Sequence, residues 1–226
     1  MIAIVDYGAG NLRSVAKAIA WLGYPATVTN SAVAVEAADA IILPGVGAAG
    51  DMMCTLRDLR LVEPLRGVIA SGRPYLGICL GLQALLTASE EGGWQPCLDI
   101  RPGVVHRFPP GLHVPHMGWN QVRQVRPHPI FDGIPDLANF YFVHSYYANP
   151  ADRSIVAGET EYSVTYASVL AFDNVVAVQF HPEKSGHLGL KLLDNFCWWA
   201  GARAERASGQ RTALASAAGD TRASDA

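Results

Sequence analysis

The sequence predicts an α/β fold with a mixed sheet: a parallel core covered by helices, extended by antiparallel strands. Three observations carry that expectation. Short apolar runs alternate with helix-periodic segments through the first hundred residues. Two of the apolar runs end in glycine-rich loops. The second half then changes to short strands divided by turn signals.

The elements follow in order. Ile2–Val5 is a short apolar strand that ends in the glycine-rich loop Asp6 to Asn11. Leu12–Leu22 places Leu12, Val15, Ala16, Ile19 and Leu22 at helical spacing and stops at Gly23. Ala26–Thr29 and Ala40–Leu43 read as strands, the second running into Pro44-Gly45-Val46-Gly47. Leu61–Ala70 is a helix with Pro64 in its first turn and Gly72 beyond its end. Pro74–Ile78 is a strand and Leu82–Ala88 a helix. From Gly103 to Phe180 the strands are Val104–Phe108, Asn120–Val125, Asn139–Val143, Ser154–Gly158, Ser168–Phe172 and Val175–Gln179. Asp173-Asn174 suits a tight hairpin, because both residue types tolerate positive φ. Gly189–Trp199 closes the fold as an amphipathic helix.

Composition narrows the function. The chain has 226 residues, half of them hydrophobic and 16% charged. Disorder is excluded by that balance, and a chain of this size buries roughly 70–75% of its unfolded surface. No apolar run approaches the ~20 residues of a spanning helix, and the N-terminus has no signal-peptide pattern. A net charge of −3 without a basic patch argues against nucleic acid. Cys54, Cys79, Cys97 and Cys197 form no CxxC pair, so neither a zinc site nor a disulfide framework is expected. A reduced, cytoplasmic protein without metal or cofactor is the expectation. Residues 1–202 read as one domain. Residues 203–226 hold eight alanines and a single large apolar side chain, Leu214, and are expected to be a disordered tail. An Ala-rich helix around Thr212–Ala218 is the alternative there.

Gly77-Ile78-Cys79-Leu80-Gly81 lies between a strand and a helix. In a nucleophile elbow the reactive side chain sits on a strained strand-to-helix turn, and small residues two positions either side relieve crowding. A helix N-terminus there also favours a thiolate, and the Leu80 N–H would point at a developing oxyanion. The plain alternative is a buried structural cysteine, the expectation for Cys54, Cys97 and Cys197.

Val175–Phe180 runs into His181-Pro182-Glu183. In extended chain, residues two apart face the same way, so His181 and Glu183 would stand side by side. A carboxylate on one ring nitrogen aims the other at a nucleophile, the logic of a Cys-His-acid triad. Alone, such a pair reads as a capping glutamate beside a surface histidine; with GxCxG upstream, the triad is preferred. The other histidines form no cluster: His113 and His116 are divided by Pro115, and His144 is either a binding residue or an ordinary core or surface one.

Strand–GxCxG–helix followed by a late strand–HPE resembles the class I (triad) glutamine amidotransferases. Asp6–Leu12 (DYGAGNL), Pro44–Gly47 (PGVG), Gly77–Gln83 (GICLGLQ), Pro115–Asn120 (PHMGWN), Tyr141–Tyr147 (YFVHSYY) and His181–Ser185 (HPEKS) extend the likeness over everything but the tail. GxCxG and HPE are shared by the whole class; PHMGWN, YFVHSYY and Lys184 after HPE select the glutaminase subunits of imidazole glycerol phosphate synthase. The resemblance implies a three-layer fold with a mixed, mostly parallel central sheet flanked by helices. It implies that Cys79 attacks the glutamine amide, His181 moves protons and Glu183 orients His181. It implies Val46 and Leu80 as oxyanion donors, and Gln83, Ser145 and Tyr146 as the residues that hold glutamine. Asn11, Tyr141 and Lys184 would face a (β/α)8-barrel cyclase in a heterodimer that receives the ammonia. No cofactor is implied. The chain departs from the family at Ala49, where an aromatic residue is common. A glutaminase serving pyridoxal phosphate, anthranilate or purine nucleotide synthesis is the alternative within the class; a non-catalytic regulatory subunit is the alternative outside it. The glycines around Val46 also permit a peptide to switch between presenting a carbonyl and an N–H, so the isolated subunit is expected to be a poor glutaminase.

Overall fold

A computed structural model describes residues 1–8, 10–111 and 113–202. The sequence expectations for 203–226 lie outside the described residues. The chain opens with β1 (Ile2–Val5), α1 (Leu12–Trp21), β2 (Ala26–Thr29), α2 (Ala32–Ala37), β3 (Ala40–Gly45), α3 (Ala49–Asp58), α4 (Val62–Ala70), β4 (Tyr75–Cys79) and α5 (Leu80–Gln83). Short strands β5 (Ala88–Ser89) and β6 (Gln95–Pro96) lead to β7 (Gly103–Arg107), β8 (His116–Gln124), β9 (Ala138–His144) and β10 (Tyr146–Pro150). Then come β11 (Val156–Tyr162), β12 (Val164–Phe172), β13 (Val175–Val178) and α6 (Gly186–Trp199).

The sheet order is β2-β1-β3-β4-β13-β12-β10-β7-β5-β6, and β11 branches from β12 to reach β8 and β9. The block β2-β1-β3-β4-β13 is parallel throughout. Beyond β13 the ladder turns antiparallel through β12, β10 and β7, starting with the hairpin to β12, and β5 then joins β7 in parallel. Asp173 adopts φ 45° in that hairpin, as the turn requires.

Alternation along each core strand explains the layers. In β1, Ala3 and Val5 face one cluster while Ile2 and Ile4 face the other. In β3, Ile41 and Leu43 take the first side and Ala40 and Ile42 the second. Successive strand side chains point to opposite faces, and a strand covered on both sides reads as a continuous apolar run. The first face is closed by Met52, Met53 and Leu56 of α3 and by Leu65, Val68 and Ile69 of α4. The second is closed by Val15 and Ile19 of α1 and by Leu192, Leu193, Phe196 and Cys197 of α6.

Several expectations are corrected. The helix expected over Leu82–Ala88 is one turn, and Ala88 joins a strand. The reason lies in its carbonyls: those of Ala84, Leu85 and Leu86 accept from the N–H groups of Leu98, Ile100 and Asp99. The chain folding back takes the acceptors that a longer helix would need. Helix α2 and strands β5, β6 and β10 went unread. Helix α2 has a Ser31 cap accepting from the Ala34 N–H at 3.5 Å, and β10 ends in Pro150. Cys54 is exposed on α3, not buried; Cys97 and Cys197 are buried as expected.

Two glycines on helices behave oppositely. A Cβ on Gly81 would stand 2.0 Å from the Leu43 carbonyl oxygen, whereas one on Gly67 in α4 meets nothing within 4 Å. Gly81→Ala is therefore expected to destabilise by about 1–3 kcal/mol or more. Gly67→Ala is expected to stabilise by about 0.5–1 kcal/mol through helix propensity. Urea unfolding of both variants checks the pair of signs.

Candidate active site

The site forms where β3, β4 and β13 end side by side. Gly45 lies opposite Cys79, and Ile78 opposite Val178. The carboxyl ends of adjacent parallel strands are where open α/β sheets place ligands.

Cys79 closes β4 with φ 54° and ψ −105°, and α5 starts at the next residue. Such a backbone costs a residue with a side chain on the order of 1–3 kcal/mol. The flanking glycines are required sterically. A Cβ on Gly77 would come within 2.5 Å of the Gly81 carbonyl oxygen. Cys79 is 6% exposed, and its sulfur accepts from Gln179 Nε2 at 3.5 Å. Leu80 holds the first helical position, where an N–H has no intrahelical acceptor.

His181 is fully buried. Its Nδ1 is 2.8 Å from Glu183 Oε1. Its Nε2 has no hydrogen-bond partner among the described residues. Burial acts to lower the His181 pKa, but Cys79 and Glu183 together outweigh it and raise the pKa to about 10. The expected extended-chain alternation is not what brings Glu183 to the imidazole. Pro182–Lys184 is a 3-10 turn, and the turn folds the carboxylate back onto the ring. Glu183 Oε1 also accepts from Asn11 Nδ2 at 3.1 Å. The Asn11 side chain, expected on a partner surface, is buried against the glutamate.

A cavity of about 270 Å³ opens above Cys79. Val46, Gly47, Leu80, Gln83, Glu91, Pro115, Val143, His144, Ser145 and Tyr146 line it with the cysteine. Every residue singled out as oxyanion donor or glutamine holder therefore borders this cavity. Gln83 donates from Nε2 to the Tyr146 carbonyl at 2.8 Å and to Gln179 Oε1 at 3.0 Å. Two residues were missed. Gln179 was legible as the position two before His181, just past the end of β13. Glu91 sits in a polar loop, Glu90-Glu91-Gly92-Gly93, that offered no pattern. Burial raises the Glu91 pKa even though its carboxylate accepts from the Ala49 N–H at 2.7 Å.

The histidine cluster dismissed in the sequence exists. Register pairs His116 of β8 with His144 of β9, and His116 Nδ1 lies 3.2 Å from His144 Nε2. His144 Nδ1 is 2.8 Å from the Tyr146 carbonyl, which fixes Nδ1 as that ring's donor. Both rings are neutral: burial lowers His116 to about 4 and His144 to about 3. Among the described residues no group of three or more His, Cys, Asp or Glu is placed to hold a metal ion.

Tyr141 and Lys184 lie together, the ammonium 6.0 Å from the ring centroid. Trp119 stands opposite Tyr141 in register, 58% exposed, next to Met117 at 62%.

A family model described as glutamine amidotransferase class-I matches residues 3–200. The chain belongs to that family. It is 52% identical over 196 residues to the imidazole glycerol phosphate synthase subunit HisH of Dehalococcoides mccartyi (strain CBDB1), covering 87% of this chain and 96% of that protein. It is 50% identical over 204 residues to the same subunit of Chloroflexus aurantiacus (strain ATCC 29364 / DSM 637 / Y-400-fl), covering 88% and 96%. Within the family it therefore belongs with the HisH subunits, the glutaminases of imidazole glycerol phosphate synthase. The solved structure of PurLQS from Thermotoga maritima shares the fold, with a TM-score of 0.69 at 16% identity, covering 88% of this chain and 97% of that one.

The buried histidines give a pH prediction. His116 and His144 bind protons more weakly folded than unfolded, so stability falls as pH drops below about 6.5. The loss approaches about 1.4 kcal/mol per pH unit for each ring until the folded pKa values near 4 and 3 are passed. His181 has the opposite sign: its contribution is complete below about 6.5 and is lost as pH rises through about 10. Urea unfolding between pH 4 and 7 checks the acid limb, and His116→Phe should flatten it.

Proposed function

We propose that this chain hydrolyses glutamine through a Cys79–His181–Glu183 triad and passes the ammonia to a cyclase partner in a heterodimer. The observation that carries the reading is Cys79 on a strained turn in the cavity wall, with a buried His181–Glu183 pair whose imidazole responds to the cysteine. Cys79 sulfur attacks the side-chain amide carbon. The Leu80 and Val46 N–H groups receive the developing oxyanion, a contribution typically on the order of a hundred- to a thousand-fold in rate per donor. His181 Nε2 gives its proton to the amide nitrogen, which leaves as ammonia. Water, deprotonated by His181, then cleaves the thioester and releases glutamate. Glu183 holds Nδ1, so the proton traffic stays on Nε2.

Glutamine offers an α-ammonium, and Glu91 is the one carboxylate among the cavity residues. Glu91 takes that charge, while Gln83, Ser145 and Tyr146 hold the rest of the substrate. Met117, Trp119, Tyr141 and Lys184 form the partner face. Aromatic side chains exposed in a cluster suit an interface core. The barrel cyclase performs the ring-forming, lyase half of the reaction, so that activity is not this subunit's. A sealed path between the two keeps ammonia from being protonated in water. A cytoplasmic location fits free thiols at Cys54, Cys79 and Cys97.

Cys79→Ala should abolish glutamine-dependent synthesis by the reconstituted complex and spare synthesis from added ammonium salts. Equal loss with both nitrogen sources would refute separate sites. Glu91→Gln should raise KM for glutamine at least tenfold, the worth of a charge-assisted hydrogen bond of about 1.5–3 kcal/mol, with a smaller change in kcat. Steady-state glutamate release measures both constants. Trp119→Ala should weaken association with the cyclase at least fivefold, as truncating a hot-spot tryptophan by more than about 1 kcal/mol would; titration calorimetry reads it directly.

A further inference from the structure

Tyr7 follows β1 and is 8% exposed. Its hydroxyl is buried and forms no hydrogen bond among the described residues. Leaving a buried hydroxyl unpaired is costly, so its surroundings matter. A Cβ on Gly45 would stand 2.8 Å from this oxygen, 2.6 Å from Leu80 Cβ and 3.0 Å from the Gly81 nitrogen. The hydroxyl therefore sits in the wedge between the end of β3 and the start of α5. These are the two segments that carry Val46 and Leu80. Tyr7 does not border the cavity above Cys79; it stands behind the wall.

We infer that Tyr7 is a positioning residue for the oxyanion strand: in the resting subunit its hydroxyl oxygen attracts the Val46 N–H and holds that donor off the oxyanion site. This rests on the reading of Val46 as an oxyanion donor. An N–H directed behind the strand cannot also point into the cavity. Glycines on both sides of Val46 let the peptide turn, and Gly47 already has φ 99°. Gly45 is also the position where any side chain would displace the hydroxyl. Electrostatics agree with the geometry. Burial, the largest effect, and Cys79 raise the Tyr7 pKa, while the Val46 amide acts on the same oxygen to lower it. Because the contact is not a full hydrogen bond, the bias is small and reversible. A partner that favours the cavity-facing peptide overcomes it by population shift.

The test is Tyr7→Phe in the full chain bound to the cyclase, which keeps the ring and removes only the hydroxyl. Glutamate release is measured with and without the cyclase's nucleotide ligand, alongside the Val46 amide shift in a nitrogen-15 spectrum. The unstimulated kcat should rise about three- to tenfold, the equivalent of one modest hydrogen bond. KM for glutamine and the stimulated rate should stay within twofold, so the stimulation ratio falls, and the Val46 amide resonance should move. Both rates falling by one factor would mark a merely structural role and overturn the inference, as would unchanged rates with an unmoved Val46 resonance. Should the wild-type complex release no glutamate at all, the function reading fails, and this inference with it.

Discussion

The backbone at Cys79 is the constraint on which the rest depends. A residue with a side chain is held at φ 54°, and nothing in its own chemistry prefers that state. It is held by close approach of three segments. The Leu43 carbonyl lies where a Gly81 Cβ would be, the Gly81 carbonyl where a Gly77 Cβ would be, and Leu80 Cβ where a Gly45 Cβ would be. Each glycine removes a methyl that would push β3, β4 or α5 apart. The helix after the turn is only four residues long. Its macrodipole is correspondingly slight, so the electrostatic setting of the thiol comes mainly from His181 and the Gln179 amide.

Burial then sorts the histidines by their partners. His181 has an acid on one side and a thiol on the other, and these raise its pKa despite full burial. His116 and His144 have each other, a tyrosine hydroxyl and a carbonyl, none of them anionic, and burial lowers both. All three rings are buried, and His144 borders the cavity, yet only His181 can carry a proton near neutrality. The neutral pair supports the backbone of Tyr146 at the cavity rim.

Much of this was legible in the sequence, for physical reasons that differ by element. Strands β1, β3, β4 and β13 are covered on both faces, so they appear as unbroken apolar runs. GxCxG was legible because glycine is the only solution to a steric problem. The helix over Leu82–Ala88 was misread because its termination depends on Leu98–Ile100, a tertiary contact that local periodicity cannot contain. The His116–His144 pair was invisible because it follows from strand register across β8 and β9. Asn11 and Glu91 are the same kind of case: each matters through a residue distant in sequence, Glu183 or Ala49.

The outward face and the buried His181–Glu183 pair are joined by short covalent and hydrogen-bonded steps. The Tyr141 carbonyl accepts from the His181 N–H at 2.9 Å. The Tyr141 N–H donates to Ser185 Oγ at 2.9 Å, and that hydroxyl donates to the His181 carbonyl at 2.6 Å. The residue whose ring meets Lys184 and Trp119 outside therefore fixes the backbone of the buried histidine inside. The next residue along, Phe142, stacks on His116 with ring centroids 5.1 Å apart. Strand β9 thus carries surface contact and site geometry on alternate residues. A displacement of Tyr141 that His181 does not follow stretches and finally breaks a buried backbone bond, so the two residues are coupled.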